Sequence, residues 1–252
     1  MDSGQVLDWG RVSVDYVKYR SGPPASYYQR LRDAGIGLPG QRLLDVGTGP
    51  GILAMVFARA GARVSGIDPS SQQIEQAKAA AAREGLAIDY RIAGAESTPF
   101  EARSFDVLTA NQCWHFVDGA KAVVEARRLL APGGRLIVSD FFWLGTRDPI
   151  AAATEDLILK YNPAWTAYRW SGELPKRPDM KAEAVIEYEE PIPFTRDSWI
   201  GRVRTCRAIG PTLAPSEVAA FDADHRRLLE KHPEKFDVLH KIVAHIYRME
   251  TL

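Results

Sequence analysis

One stretch restricts the possible folds of this chain more than any other: Arg42-Leu-Leu-Asp-Val-Gly-Thr-Gly-Pro-Gly51. Leu43, Leu44 and Val46 read as a central, buried strand. Gly47, Gly49 and Gly51 follow at alternate positions, where the backbone can turn tightly and approach a ligand that side chains would exclude. An apolar run at helical spacing continues from Ile52 to Ala60, so the loop opens onto a helix N-terminus. Unpaired N–H groups and the positive end of the helix dipole favour an anionic group there. The pattern predicts a nucleotide-type cofactor site.

The spacing of the glycines narrows the cofactor. A dinucleotide fingerprint of the form G-x-G-x-x-G requires its third glycine at position 52, which is Ile52. That departure argues against a pyrophosphate resting on the helix. Arg63-Val-Ser-Gly-Ile-Asp68 reads as a second strand ending in a carboxylate, at nearly the interval that sets an acid on ribose hydroxyls. A ribose acceptor without a pyrophosphate cradle suits a nucleoside cofactor. An N-cap for the helix that opens at Pro69 is the structural alternative for Asp68.

Leu44-Asp-Val-Gly-Thr-Gly-Pro-Gly51 followed by Gly66-Ile-Asp-Pro-Ser70 resembles the class I S-adenosylmethionine-dependent methyltransferases, in the small-molecule branch that includes ubiquinone-type enzymes. Ala93-Gly-Ala-Glu-Ser-Thr-Pro-Phe100, Phe105-Asp-Val-Leu-Thr-Ala-Asn111 and Leu129-Leu-Ala-Pro-Gly-Gly-Arg-Leu-Ile-Val-Ser139 resemble further segments of that family, in the same order. Asn111-Gln-Cys-Trp-His-Phe-Val-Asp118 and Ser198-Trp-Ile-Gly-Arg-Val-Arg-Thr205 are similar to segments of enzymes related to trans-aconitate methyltransferase. The resemblance implies an α/β, Rossmann-like doubly wound sheet of seven strands, the last antiparallel and inserted between its neighbours, with a lid insertion. It implies S-adenosylmethionine as cofactor and S-adenosylhomocysteine as product.

Carried onto this sequence, the family pattern implies cofactor contacts from Gly47, Thr48, Gly49 and Gly51, from Asp68 and Pro69 at the ribose, and from Ala95 and Glu96 at the adenine. Gly94 stands where the family often has Asp, which leaves Glu96 open between adenine recognition and a solvated loop. Asp45 either reaches the cofactor's amino group or holds the loop. Asn111, at the sheet's carboxyl edge, is a ligand contact or a turn residue. Tyr19 and Arg20, with Tyr16, resemble an N-terminal segment that folds over the cofactor carboxylate, although Ser21-Gly-Pro replaces the usual proline after Arg.

His115 is the candidate catalytic residue, a general base for an O–H or N–H acceptor, with loop packing as the alternative. Trp143, Trp165, Tyr168 and Trp170 are candidates to enclose an apolar or planar substrate, or else form lid core. Arg196, Arg202, Arg204 and Arg207 are the densest basic cluster. Arg204 in particular suits capture of a carboxylate substrate, the alternative being a solvated helix face. Cys113 lacks a paired His–Asp arrangement, and the C-terminal histidines lack metal-ligand spacing, so no metal is expected.

Thirty-two basic residues balance thirty-two acidic ones, which weighs against nucleic-acid binding. The strand-four segment also lacks the prolines of amino-methylating nucleic-acid enzymes. Two distant cysteines suit a reducing cytoplasm, and no apolar run approaches the roughly 20 residues of a membrane helix. The expected partner is a small methyl acceptor, and the reading leaves room for a homodimer. Rival readings are an NAD(P)-dependent oxidoreductase on the same topology and an inactive adenosylmethionine-binding regulator.

The 252 residues are expected to form a single domain: a helical cover over 1–38, a cofactor core over 39–144, a lid over 145–182, and C-terminal strands and helices over 183–252. Ser70 with Gln73 predicts a capping box that opens a helix, stopped by Gly85. Asp118 predicts another, ending before Pro132-Gly-Gly. Prolines and aromatics make 145–182 read as irregular. Strand pattern returns at Ala184–Tyr188, helices are expected over 197–208 and 215–231, and Val238–Tyr247 alternates like an edge strand.

Overall fold

In the computed structural model, which describes residues 8, 10–166 and 180–249, Leu43 and Leu44 are fully buried and face opposite sides of the same strand. A strand covered on both faces belongs at the centre of a parallel sheet. The described strands are β1 (Arg42–Val46), β2 (Arg63–Asp68), β3 (Asp89–Ile92), β4 (Phe105–Asn111), β5 (Leu130–Trp143), β6 (Met180–Thr195) and β7 (Lys235–Met249). They form a mixed, Rossmann-like sheet in the order β3-β2-β1-β4-β5-β7-β6. β1 pairs in parallel with β2 and β4, β2 with β3, and β4 with β5.

The helices are α1 (Ser13–Tyr19), α2 (Ala25–Asp33), α3 (Ile52–Arg59), α4 (Ser71–Arg83), α5 (Gly119–Leu129), α6 (Pro149–Tyr161), α7 (Arg196–Arg204) and α8 (Pro215–Leu229). Local chemistry sets several of their ends, although of the capping box expected at Ser70 and Gln73 only one bond forms and Gln73 Oε1 has no partner among the described residues. Ser70 Oγ accepts the Gln73 N–H to open α4, and Gly85, at φ +65°, lies just beyond its end. Asp118 caps α5 by accepting the Lys121 N–H.

The chain folds as two compact units. One contains the described residues of Gly22–Phe141, Trp170–Tyr188 and Ile242–Leu252; the other contains those of Met1–Ser21, Phe142–Arg169 and Glu189–Lys241. In the first, Leu43 packs with Tyr27, Leu31, Phe57, Tyr90 and Ile137, while Leu44 packs with Val46, Ile67, Leu108, Leu136 and Val138. The second has its own core around Trp199, Val203, Phe221 and Ile158. There the Trp199 indole donates to Thr154 Oγ1 at 3.1 Å, which donates to the Ile150 carbonyl at 2.8 Å.

Two sequence expectations need correction. Val238–Tyr247 is not an edge strand: it lies within β7, between β5 and β6, and β6 takes the edge. His240 and His245, five residues apart and so on opposite faces of the strand, are both buried, as fits an inner strand. Residues 149–161, read as irregular, form the regular helix α6. Asp148 starts it by accepting the Ile150 and Ala151 N–H groups at 2.9 Å, and Pro149 takes a first-turn position where it needs no donor. No helix among the described residues is long and apolar enough to cross a membrane.

Candidate active site

The glycine loop is held from below by a buried carboxylate. Asp45, near the carboxyl end of β1, accepts from Thr48 Oγ1 at 2.7 Å and Thr109 Oγ1 at 2.8 Å, one hydroxyl on each oxygen. Burial pushes its pKa up to about 6, against the pull of the two hydroxyls, and nearby Asp68 raises it further. Of the two roles expected for Asp45, these bonds display the structural one.

Gly47, Gly49 and Gly51 all adopt left-handed φ, at +62°, +54° and +81°. Their surroundings differ. A Cβ on Gly47 would sit 2.6 Å from Cβ of Cys113, and one on Gly51 would sit 2.2 Å from the Tyr90 hydroxyl. At those two glycines the missing Cβ makes room for the protein's own side chains. A Cβ on Gly49 would meet nothing within 4 Å among the described residues. Open space at the centre of the loop fits a bound group at that point.

Asp68 ends β2 facing this opening. Its carboxylate accepts the Gly49 N–H at 3.0 Å and the Ser70 N–H at 2.9 Å. Burial raises its pKa, and the two backbone bonds oppose that rise. Ser70, not Asp68, caps α4. A carboxylate offers about four lone-pair positions, so two bonds leave acceptor capacity for a diol. Exposed Pro69 follows, and Ala93 N–H donates to the Asp68 carbonyl at 3.2 Å, which draws the 93–97 loop to the same edge. Ala95 packs partly buried in that loop, while Glu96 accepts the Asp118 N–H at 2.8 Å. Glu96 thereby has a backbone role at the start of α5, distinct from both adenine recognition and simple solvation.

Beyond β4 the chain turns sharply. Gln112 adopts φ +55°, rare for a side-chain-bearing residue, and is held by its N–H to the Ser139 carbonyl at 2.8 Å and its side-chain amide to the Phe141 carbonyl at 2.7 Å. The turn delivers Cys113 and a 3-10 turn over Trp114–Phe116 that carries His115. Burial holds the His115 pKa down to about 4, so its imidazole is neutral at physiological pH. Burial and the surrounding carboxylates push the Cys113 thiol far up, and its Sγ lies 3.2 Å from the Val46 carbonyl. It is a packed thiol, without nucleophilic character.

Residues 44–138 match the methyltransferase domain family. A ubiquinone biosynthesis O-methyltransferase of Cereibacter sphaeroides is 35% identical over 163 residues, 63% of each chain. One from Methylocella silvestris is 42% identical over 103 residues, 40% of each chain. Residues 44–138 thus carry the sequence pattern of a methyltransferase domain, on a sheet of the kind such domains use. A structure from Anaeromyxobacter dehalogenans, provisionally assigned as a type II methyltransferase, shares the fold with a TM-score of 0.63 at 23% identity, over 93% of this chain and all of that one. The chain spans under two thirds of the length of the curated relatives it matches.

Several residues expected at the cofactor or substrate lie in the second unit and are engaged there. Tyr19 OH donates to Asp197 at 3.2 Å. Arg20 donates to the hydroxyl and carbonyl of Thr205 at 3.2 and 3.0 Å and stacks over Tyr16. The Trp143 indole donates to Glu155 at 2.9 Å and packs edge-on against Trp199, and Trp165 lies partly buried against the same core. These tryptophans therefore show the core role that was their alternative. Tyr168 and Trp170 fall outside the described residues.

Arg204 departs from the expectation of a carboxylate-capturing residue. Its guanidinium is paired to Asp15 at 2.7 Å and Asp222 at 2.6 Å and is largely covered. Spacing along α7 showed a basic face but not the acids of α1 and α8 that neutralise it. No cluster of three or more metal-ligating side chains occurs among the described residues. Tyr27, Tyr90, Thr109 and Ser139 carry no signal in the sequence, since each acts through residues distant along the chain.

Proposed function

We propose that this chain transfers a methyl group from S-adenosylmethionine to a small-molecule acceptor. The observation that carries the reading is the open, left-handed Gly49 beside the Asp68 carboxylate, at the carboxyl edge of a parallel sheet. When bound, the cofactor supplies an electrophilic methyl, so the protein's work is positioning and desolvation. Gly47, Thr48, Gly49 and Gly51 would form the loop beneath the cofactor. Asp68 would accept the ribose hydroxyls, with Pro69 rigidifying the turn. Ala95 would offer backbone polar groups to the adenine. Asp45 would hold the loop through Thr48 while contributing negative charge near a cationic sulfonium.

His115 fits the role of late proton acceptor. Its imidazole is neutral at pH 7, and its low pKa makes it a poor base towards a resting hydroxyl. An O–H or N–H becomes strongly acidic as its heteroatom gains a methyl, and a weak base suffices at that stage. The two free cysteines and balanced charge suit a small metabolite in a reducing cytoplasm rather than a nucleic acid.

The test is incubation with methyl-labelled S-adenosylmethionine and a panel of phenolic, carboxylate and amine metabolites. Label transferred to a panel member supports the reading; cofactor binding with no transfer to any class contradicts it.

A further inference from the structure

Asp45, Thr109, Asn111 and Ser139 share one face of the sheet, since odd-numbered positions of β1, β4 and β5 pair in register there. On that face Tyr27 of α2, fully buried, lies with its hydroxyl 2.7 Å from Ser139 Oγ, and Ser139 Oγ lies 3.0 Å from Asn111 Oδ1. The chain of bonds has one consistent polarity. A buried tyrosine with a single partner must donate its proton to it. Ser139, having accepted from Tyr27, donates its own proton onward. Asn111 therefore presents its carbonyl to Ser139, and its NH2 group is turned away from the relay, with no partner among the described residues.

Most of the other side-chain donors named around this edge are already engaged. Thr48 and Thr109 donate to Asp45, Gln112 to the Phe141 carbonyl, Ser139 to Asn111 and Tyr27 to Ser139. The N–H of Gly49 donates to Asp68. Arg20 and Tyr19, the expected partners for the cofactor carboxylate, are committed to Thr205 and Asp197. An anionic group arriving at this edge needs a donor, and the Asn111 amide, half-buried at the end of β4, can supply one; the Tyr90 hydroxyl also has no partner among the described residues but is buried beside Gly51.

Building on the proposed cofactor, we propose that Tyr27 and Ser139 are positioning residues that fix Asn111 as the hydrogen-bond donor to the carboxylate of the cofactor's amino-acid portion. Asn111 touches the ligand; the other two act through it. Removing Tyr27's hydroxyl frees Ser139 to donate elsewhere and lets the Asn111 amide turn over.

Two ligands separate this role from a general structural one: S-adenosylhomocysteine carries the carboxylate, and 5′-methylthioadenosine lacks the whole amino-acid end. Isothermal titration with both is run on the full chain and on Asn111→Ala, Tyr27→Phe and Ser139→Ala. Asn111→Ala is expected to weaken S-adenosylhomocysteine about 10-fold or more and Tyr27→Phe about 3- to 10-fold, the scale of one charge-assisted bond, with 5′-methylthioadenosine held within about 2-fold. Ser139→Thr, which keeps the hydroxyl, should retain most of the affinity that Ser139→Ala loses. Equal losses for both ligands, or unchanged S-adenosylhomocysteine affinity in the variants, overturns the proposal. Should Tyr27→Phe fail to fold, Ser139→Ala against Ser139→Thr decides. If the unmodified chain binds neither ligand, the cofactor reading itself fails, a result distinct from either of these.

Discussion

The backbone N–H of Gly49 donates to the Asp68 carboxylate across 3.0 Å, which ties the loop after β1 to the end of β2. One carboxylate thus shapes the loop and borders the only glycine of the three that faces open space.

Asp68→Ala is expected to weaken S-adenosylhomocysteine by at least about 10-fold, because both the ribose acceptor and a loop anchor are lost. Titration calorimetry measures this directly. Unchanged affinity removes Asp68 from the cofactor site.

The three glycines should respond differently to alanine. Gly49→Ala carries the cost of left-handed backbone alone, about 1–2 kcal/mol. Gly51→Ala adds a clash with the Tyr90 ring and hydroxyl, an overpacking penalty of about 1–3 kcal/mol more. Urea unfolding should rank Gly51→Ala below Gly49→Ala in stability, while Gly49→Ala loses cofactor affinity in its folded state. The reverse ranking contradicts the assignment of Gly51 to internal packing.

Arg204→Ala should act on stability. It leaves Asp15 and Asp222 partly covered without their shared cation, at a cost of about 2–4 kcal/mol. A lowered unfolding midpoint with unchanged acceptor KM is the expected result. A raised KM at unaltered stability would restore Arg204 to substrate recognition.

Stability should fall on acidification below neutrality. Burial holds His225 and His240 down to about 4, below the ordinary value of about 6.5, so between those pH values the unfolded chain binds more protons than the folded one. Each histidine contributes a slope of about 1.4 kcal/mol per pH unit in that window, with stability rising as pH rises. Asp45, raised to about 6, works in the opposite direction from its ordinary value upward, and Asp68 is displaced the same way. Two histidines, with His115 added, outweigh them. Urea midpoints should drop from pH 6.5 to 4.5, and His225→Leu should flatten the profile. A midpoint rising on acidification contradicts this balance.

Local signals carried much of this fold. An apolar run, glycines at fixed offsets, Ser70, Asp118 and a strand-terminal acid each act on neighbours within a few residues, so β1, β2, α3, α4 and α5 were legible from the chain alone. The loop's physical logic was less so. Which glycine has open space beside it depends on Cys113 and Tyr90, distant residues that occupy the space beside Gly47 and Gly51. The Arg204 ion pairs and the Tyr27–Ser139–Asn111 relay depend equally on tertiary pairing. Burial of His240 and His245, on opposite faces of β7, was hidden because it depends on the strands that flank β7 in the sheet, not on its own sequence.

Titrating the purified chain with S-adenosylhomocysteine and, separately, with NADH tests the central claim most directly. The account predicts saturable, enthalpically measurable binding of S-adenosylhomocysteine and none of the dinucleotide. Saturable binding of NADH with no response to S-adenosylhomocysteine would contradict it.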